Sequence, residues 1–317
     1  KAYAYDSSGE SVNELPLRPC RRKPCQRAMT DAIADATHVQ PQAAAETPSV
    51  LIVHAGLCNR LRALCSYRRL AIAADRTITV IWEPREECPG RFADLFEPLH
   101  GATIVDDMSR DGAEPAHDFH ASVKMRRDAE ASCLADLVPC ADIRDQIGRV
   151  VSGCGPRFIA LHIRRTDHHA FEILKHTPDE EFERFADRFP DHVIFLATDN
   201  ADTQRRFVAR YGVERVRLVG RIPTDRCWRD AGCLRLTPLR DAVVDLFTCV
   251  EAAAFKGSTY SSFSDTVAHL RASRGTASAD DEHEMLEPFI DFHDDFEALR
   301  HRPEAGAFRR QGGLRKR

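Results

Sequence analysis

No stretch of this chain stays apolar long enough to cross a bilayer. Nor does it carry the short apolar core that marks a secretory signal. Spanning helices are thereby excluded, whereas an anchor or signal preceding Lys1 is not. No Asn-x-Ser/Thr acceptor occurs, which weighs slightly against a secretory route. Eleven cysteines are present, but their spacings do not repeat as paired Cys-x-x-Cys, so a structural zinc site is disfavoured. The chain lacks a Gly-x-Gly-x-x-Gly turn and the Lys-Ser/Thr of a P-loop, which disfavours a Rossmann dehydrogenase and a Walker ATPase. Asp106-Asp107, Asp280-Asp281 and Asp294-Asp295 read as solvated acidic pairs, because none follows a strand as a metal-binding Asp-x-Asp. His168-His169 has no well-spaced partner ligands, so no metal site is expected. A net charge of −4 gives no global field for nucleic acid.

What is present is a globular balance, 43% hydrophobic and 30% charged, over a length that suits two domains. Residues 1–48 read as a poorly ordered stem or tail, with Arg21-Arg22-Lys23 as a solvated basic run. Order is expected from Ser49. Val50 to Val53 reads as a buried strand, Gly56 breaks it, and Asn59 opens a helix with Leu61, Leu64, Cys65 and Ile72 along one side. Thr77 to Trp82 is the next strand, followed by a short helix around Phe92-Leu95-Phe96 and a strand at Thr103 to Val105. Residues 110–150 read as helical pieces and loops. Gly153-Cys154-Gly155-Pro156 marks a boundary.

Beyond it, Phe158 to Arg164 and Val193 to Ala197 read as buried strands, with a helix near Glu180, Phe182 and Phe185 between them. Asn200 caps a helix through Phe207 and Val208 that Gly212 terminates. Val216 to Val219 is a further strand, Thr237-Pro238 starts a helix, and Ala253 to Lys256 is a short strand. Gly257-Ser258 turns the chain, and a last helix begins at Ser261. Cys227 and Cys233 flank a polar loop, where a local disulfide and free thiols are both open readings. The fold class is therefore α/β: two parallel-sheet domains, 49–153 and 154–275, facing each other across a cleft. Residues 276–317 form a polar tail in which Met285 to Phe296 is expected to pack back as a helix.

The most informative segment is Ala160-Leu161-His162-Ile163-Arg164-Arg165-Thr166-Asp167. Two arginines at the end of a strand place fixed positive charge at the carboxyl edge of a sheet, where open α/β sheets bind ligands. Arginine suits a diphosphate because its planar fork is always charged and donates bidentately. Strand alternation points His162 and Arg164 to one side and Arg165 to the other, where an ion pair with Asp167 is the plain structural reading. Ser258-Thr259-Tyr260-Ser261-Ser262-Phe263-Ser264 precedes a helix, which suits either phosphate or a simple serine cap. Glu172 sits in the polar loop after the arginines, where it reads either as a solvated carboxylate or as a base for a hydroxyl.

Four segments, in this order, resemble the fucosyltransferases of the α1,6-/protein O-fucosyltransferase superfamily. They are Gly56-Leu57-Cys58-Asn59-Arg60, His162-Ile163-Arg164-Arg165, Ala197-Thr198-Asp199-Asn200 and Ser261-Ser262-Phe263-Ser264, within about Ser49 to Leu270. The resemblance implies a GT-B fold of two Rossmann-like domains, the N-terminal one on the acceptor side and the C-terminal one binding the nucleotide sugar. It implies GDP-fucose as donor substrate, no cofactor, and inverting transfer to a hydroxyl of a glycan or protein without a metal. Arg164 is then the catalytic group on the β-phosphate and Glu172 the base. Asn59, Arg60, His162, Arg165, Asp199, Ser261, Ser262, Phe263 and Ser264 bind substrate. Two departures stand out: Cys58 replaces a glycine of the first loop, and His168 replaces a lysine common in the α1,6 enzymes. The expected partners are the donor and a glycan or glycoprotein acceptor, with membrane contact only through an anchor before Lys1. The Golgi or ER lumen is slightly favoured over the cytoplasm. The alternatives are a GT-B transferase of another nucleotide sugar and a non-catalytic nucleotide-sugar or glycan-binding protein on the same scaffold.

Overall fold

Val50–Val53 (β1) is a run of four aliphatic residues and forms a central strand of the first sheet. The computed structural model describes residues 47–124, 126–165, 177–223 and 236–284. In it β1 lies between β2 (Ile78–Ile81) and β4 (Glu114–Ala116), with β3 (Ala102–Val105) beyond β2, all parallel. The second sheet is built the same way. Its strand β5 (Phe158–Ile163), six residues buried throughout, lies between β6 (Val193–Thr198) and β8 (Ala254–Gly257), with β7 (Val216–Arg217) outside β6. Strands covered on both faces read as continuous apolar runs rather than alternating ones, which is why these were visible in the sequence.

Seven α-helices complete the described residues: α1 (Leu57–Ala73), α2 (Arg127–Leu134), α3 (Ala141–Cys154), α4 (Asp179–Asp187), α5 (Ala201–Tyr211), α6 (Leu239–Val250) and α7 (Ser262–Arg274). No described helix is long and apolar enough to cross a membrane. One apolar core joins residues of both sheets, from Leu51 and Val80 to Phe195 and Phe255, together with α6 and α7. A smaller core fills the space between β5, β6 and helices α4 and α5, around Phe182, Phe185 and Phe207. Helix α7 packs on α6 and also on α1 and α2, so it belongs structurally to both halves.

The end of α6 is sealed by a buried cation. Arg271 of α7 is fully buried and donates to the carbonyls of Cys249, Val250 and Ala252, while Asp281 takes its Nε and Nη2 at 2.9 Å each. The last carbonyls of a helix need outside donors, and a guanidinium there also suits the helix dipole. The chain past α7 is thereby pinned. Glu282 bridges Lys256 in parallel alignment, and the N–H of Gly257 donates to Glu282 O.

Several sequence readings shift. Helix α1 starts at Leu57, with Gly56 as an extended N-cap, so Asn59 lies inside its first turn rather than before it. The stretch read as loops holds the three-residue strand β4, which pairs with β1. Gly257-Ser258 is not a turn. Gly257 ends β8 opposite His162, and Ser258 N–H continues the ladder to His162 O. The turn falls at Tyr260, which holds a positive φ of 57°. Cys227, Cys233 and the segment Met285 to Phe296 lie outside the described residues.

Candidate active site

β5, β6 and β8 run parallel, so their carboxyl ends converge at one edge, and His162 ends up opposite both Ala197 and Gly257. The imidazole is buried, and its Nδ1 lies 2.7 Å from Ser264 Oγ. Its face stacks on Phe263, centroids 4.2 Å apart and planes inclined by 22°. Two segments a hundred residues apart are thus locked together by one hydrogen bond and one stack. Ser258, the first residue of the serine-rich stretch, adds a clamp between β5 and β8. Its Oγ donates to His162 O at 3.1 Å and accepts the N–H of Arg164 at 3.0 Å, fixing the peptide that carries the first arginine.

Arg164 is half-buried at this edge. Arg165 turns the other way, as alternation required, and is almost wholly buried. Its Nε and Nη2 donate to Asp179 Oδ1 at 3.0 and 2.5 Å, its Nη2 also to Thr177 O, and its guanidinium lies over the Phe182 ring. The structure therefore places this substrate-binding candidate in the scaffold. Its carboxylate partner is Asp179, while Asp167 lies outside the described residues. Asp199, at the end of β6, accepts the Arg165 N–H at 2.8 Å and so shapes the arginine loop from the next strand. Asn200 caps α5 by accepting from Thr203 N–H at 2.9 Å.

At the start of α7, Ser261 is the N-cap, and Ser262 Oγ donates to Asn59 Oδ1 at 2.6 Å. That bond joins the first turn of α1, which follows β1, to the first turn of α7, which follows β8. Arg60, read as substrate-binding, is fully buried instead. Its Nε and Nη1 donate to Ala55 O (2.8 Å) and Glu83 O (2.6 Å), and it lies 5.4 Å over the Trp82 ring. Its role in the structure is to brace the β1 loop, where Ala55 holds a positive φ of 66°.

The structure thus brings together Asn59, His162, Arg164, Asp199, Ser261, Ser262, Phe263 and Ser264, and sets Arg60 and Arg165 behind them as braces. Glu172 and His168 lie outside the described residues. Two further residues support the site. A Cβ on Gly257 would meet His283 Nδ1 and Ser264 Cβ, each at 2.7 Å, so only glycine lets β8 pass this close to the serine that holds His162. The sequence signal is a glycine that ends an apolar strand. His283 Nε2–H donates to Asp265 Oδ1 at 2.8 Å, at the head of a buried charge network. Asp265 continues it to Arg62 (3.4 Å), Arg62 to Asp118 (2.6 Å) and Asp118 to Lys124 (2.8 Å). Burial pushes the Asp118 carboxyl up, but Arg62 and Lys124 outweigh it and hold the group below the usual carboxylate range. Beside the network, burial pushes the imidazole of His269 down to about 4, although Glu130 lies 3.2 Å away.

No protein-family model and no curated protein matches the chain. Solved structures do. A NodZ α-1,6-fucosyltransferase soaked with GDP-fucose is 16% identical, with 70% of this chain and 92% of that one covered and a TM-score of 0.50. NodZ from Bradyrhizobium gives 15% identity, 70% and 93% coverage and the same TM-score of 0.50. POFUT1 in complex with GDP is 11% identical over 77% of this chain and 99% of that one, again at 0.50. The fold is that of the GT-B fucosyltransferases. Within a GT-B fold the edge described above is the carboxyl edge of the C-terminal sheet, and the Asn59–Ser262 bond spans the two sheet edges. Among the described residues no group of three or more His, Cys, Asp or Glu is arranged to hold a metal ion. Among the described residues Cys65, Cys133, Cys140, Cys154 and Cys249 are free thiols, and burial raises the thiol pKa of Cys65, Cys133, Cys154 and Cys249.

Proposed function

We propose that this protein transfers fucose from GDP-fucose to a hydroxyl group of a glycan or protein acceptor, with inversion and without a metal. One observation carries the reading: Ser264 and Phe263 of α7 grip His162 of β5, placing a helix start, an arginine and a carboxylate at one sheet edge. A helix start offers free N–H groups and a positive dipole end to phosphate oxygens. Arg164 adds a permanent charge whose task is to stabilise the β-phosphate of GDP as it departs. Asp199 is suited to accept from guanine N–H groups. The likeness in fold to fucosyltransferases solved with GDP or GDP-fucose supports the same donor.

In this mechanism the acceptor oxygen attacks the anomeric carbon from the face opposite GDP, so the configuration inverts. The acceptor proton goes to a base, for which the sequence offers Glu172. Calorimetry in EDTA tests the donor. GDP-fucose should bind in preference to GDP-mannose and UDP sugars, and Arg164→Ala should lower turnover by about 10²–10³-fold, the effect of removing one oxyanion donor. Preference for another sugar nucleotide would keep the fold and replace the reaction. Near-normal turnover in Arg164→Ala would remove that residue from its role.

A further inference from the structure

We propose that His54 is the base that takes the acceptor's proton, and that His54 and His117 mark a hydroxyl-binding acceptor site on the N-terminal sheet. The proposal rests on the fucosyl-transfer reading above. His54 directly follows β1, and its N–H extends the β1–β4 ladder by donating to Ala116 O at 3.1 Å. His117 directly follows β4. The two rings therefore leave adjacent strand ends side by side, with centroids 4.8 Å apart and planes tilted by 44°. Both residues are half-buried, reachable by a ligand yet screened from bulk water. Among the described residues none forms a hydrogen bond with the His54 ring nitrogens.

The loop that begins at His54 leads into α1, whose first turn carries Asn59, and Ser262 Oγ at the start of α7 binds Asn59. One short segment thus connects the imidazole to the proposed donor site. The surroundings of His54 favour a neutral ring. Burial lowers its pKa most, then Arg60 of α1 and Arg85 of the loop after β2, while Glu87 of that loop opposes them. A neutral imidazole at pH 7 keeps a lone pair for a proton. The rim beyond it carries Glu83, held by Arg85 at 2.6 Å and also paired with Arg110. Paired imidazoles with such a polar rim suit a ligand with several neighbouring hydroxyls, which is the chemistry of a sugar.

The step balances. The acceptor O–H gives its proton to an imidazole nitrogen of His54 as its oxygen bonds to the anomeric carbon of fucose. The bond from that carbon to the β-phosphate oxygen breaks, and its electron pair leaves with GDP. The imidazolium then returns the proton to water.

The test follows GDP release from GDP-fucose, with water and with a panel of monosaccharides as acceptors, between pH 5 and 8. Wild type should show a rate that rises with pH through a midpoint lying below the ordinary histidine value of about 6.5 and then levels off, in line with the lowered pKa of His54. His54→Gln should lose that rise and slow turnover by about 10²-fold, with GDP-fucose affinity by calorimetry unchanged. His54→Ala should recover turnover when imidazole is added, which a structural role would not produce. Turnover in His54→Gln within about threefold of wild type, with the acidic limb kept, overturns the proposal and leaves the donor reading intact. Loss of the limb in Glu172→Gln but not in His54→Gln does the same and assigns the base to Glu172. Failure of wild type to bind GDP-fucose would instead overturn the donor reading itself, and this proposal with it.

Discussion

The two sheet edges are built alike and finished differently. At the C-terminal sheet, the described residues that follow β5, β6 and β8 are tied to one another. Ser264 holds His162, Ser258 clamps the Arg164 peptide, and Asp199 and Asp179 hold Arg165. At the N-terminal sheet, Arg60 braces the loop after β1, Asn59 just beyond it meets Ser262, and the imidazoles of His54 and His117 meet at an accessible surface. A donor diphosphate has a fixed shape and charge, so a preorganised edge serves it without reorganisation during reaction. An acceptor is recognised through fewer and more varied groups, and a less tied edge suits it.

Breaking the donor edge should cost most. Arg165→Met removes a buried cation and strands Asp179 and the Thr177 carbonyl. Such losses run to about 3–5 kcal/mol, and the lower figure is expected here because Arg206 still reaches Asp179 at 2.8 Å. Urea unfolding reads this directly, and a loss below about 1 kcal/mol would make the pair an ordinary surface bridge. Gly257→Ala is next. Its Cβ must displace Ser264 or His283, and overpacking of this kind costs about 1–3 kcal/mol. Affinity for GDP, measured by calorimetry, should fall with it, whereas a change confined to stability would separate the His162 grip from donor binding.

The smallest effect concerns the charge network that joins the halves. His269 is neutral in the folded protein, because burial lowers its pKa to about 4. Once unfolded, it regains a value near 6.5 and takes up a proton below that pH. The unfolded state therefore binds more protons between pH 6.5 and 4, and stability drops as pH falls through that window. The expected loss from pH 7 to 5 is about 1–2 kcal/mol, at the low end because Glu130 can receive an imidazolium. The measurement is the difference between wild type and His269→Gln in unfolding free energy at the two pH values. An identical pH dependence in the variant would sink the assignment.

Much of this fold is legible in the chain because its strands are short apolar runs and two of its helices, α5 and α7, begin at side-chain caps. Val50–Val53, Phe158–Ile163, the Asn200 cap and the Ser261 cap were all visible as local patterns. β4 was not, since Glu114, Pro115 and Ala116 become a strand only by pairing with β1. The candidate site divides along the same line. His162, Arg164 and the serines stood out by type and order, whereas the burial of Arg60 and Arg165 depends on partners such as Ala55 O and Asp179 that local pattern does not pair with them. Gly257 was seen but misread, because a glycine demanded by a neighbouring side chain looks, in one dimension, like a glycine demanded by a turn. His54 gave no signal at all. Its interest comes from standing beside His117, sixty-three positions away along the chain.

The strip from Ser278 to Glu282 has a consequence for how the protein comes into being. It covers the outer edge of β8, lends Asp281 to Arg271 and places His283 against Gly257. A ribosome releases these residues only after both sheets and all seven described helices have emerged. Until then β8 presents an unpaired edge, and the seat of His283 beside Ser264 is empty. The edge where Ser264 grips His162 is thus among the last parts of the described structure to be completed during synthesis, and a nascent chain that has not released His283 has not finished it.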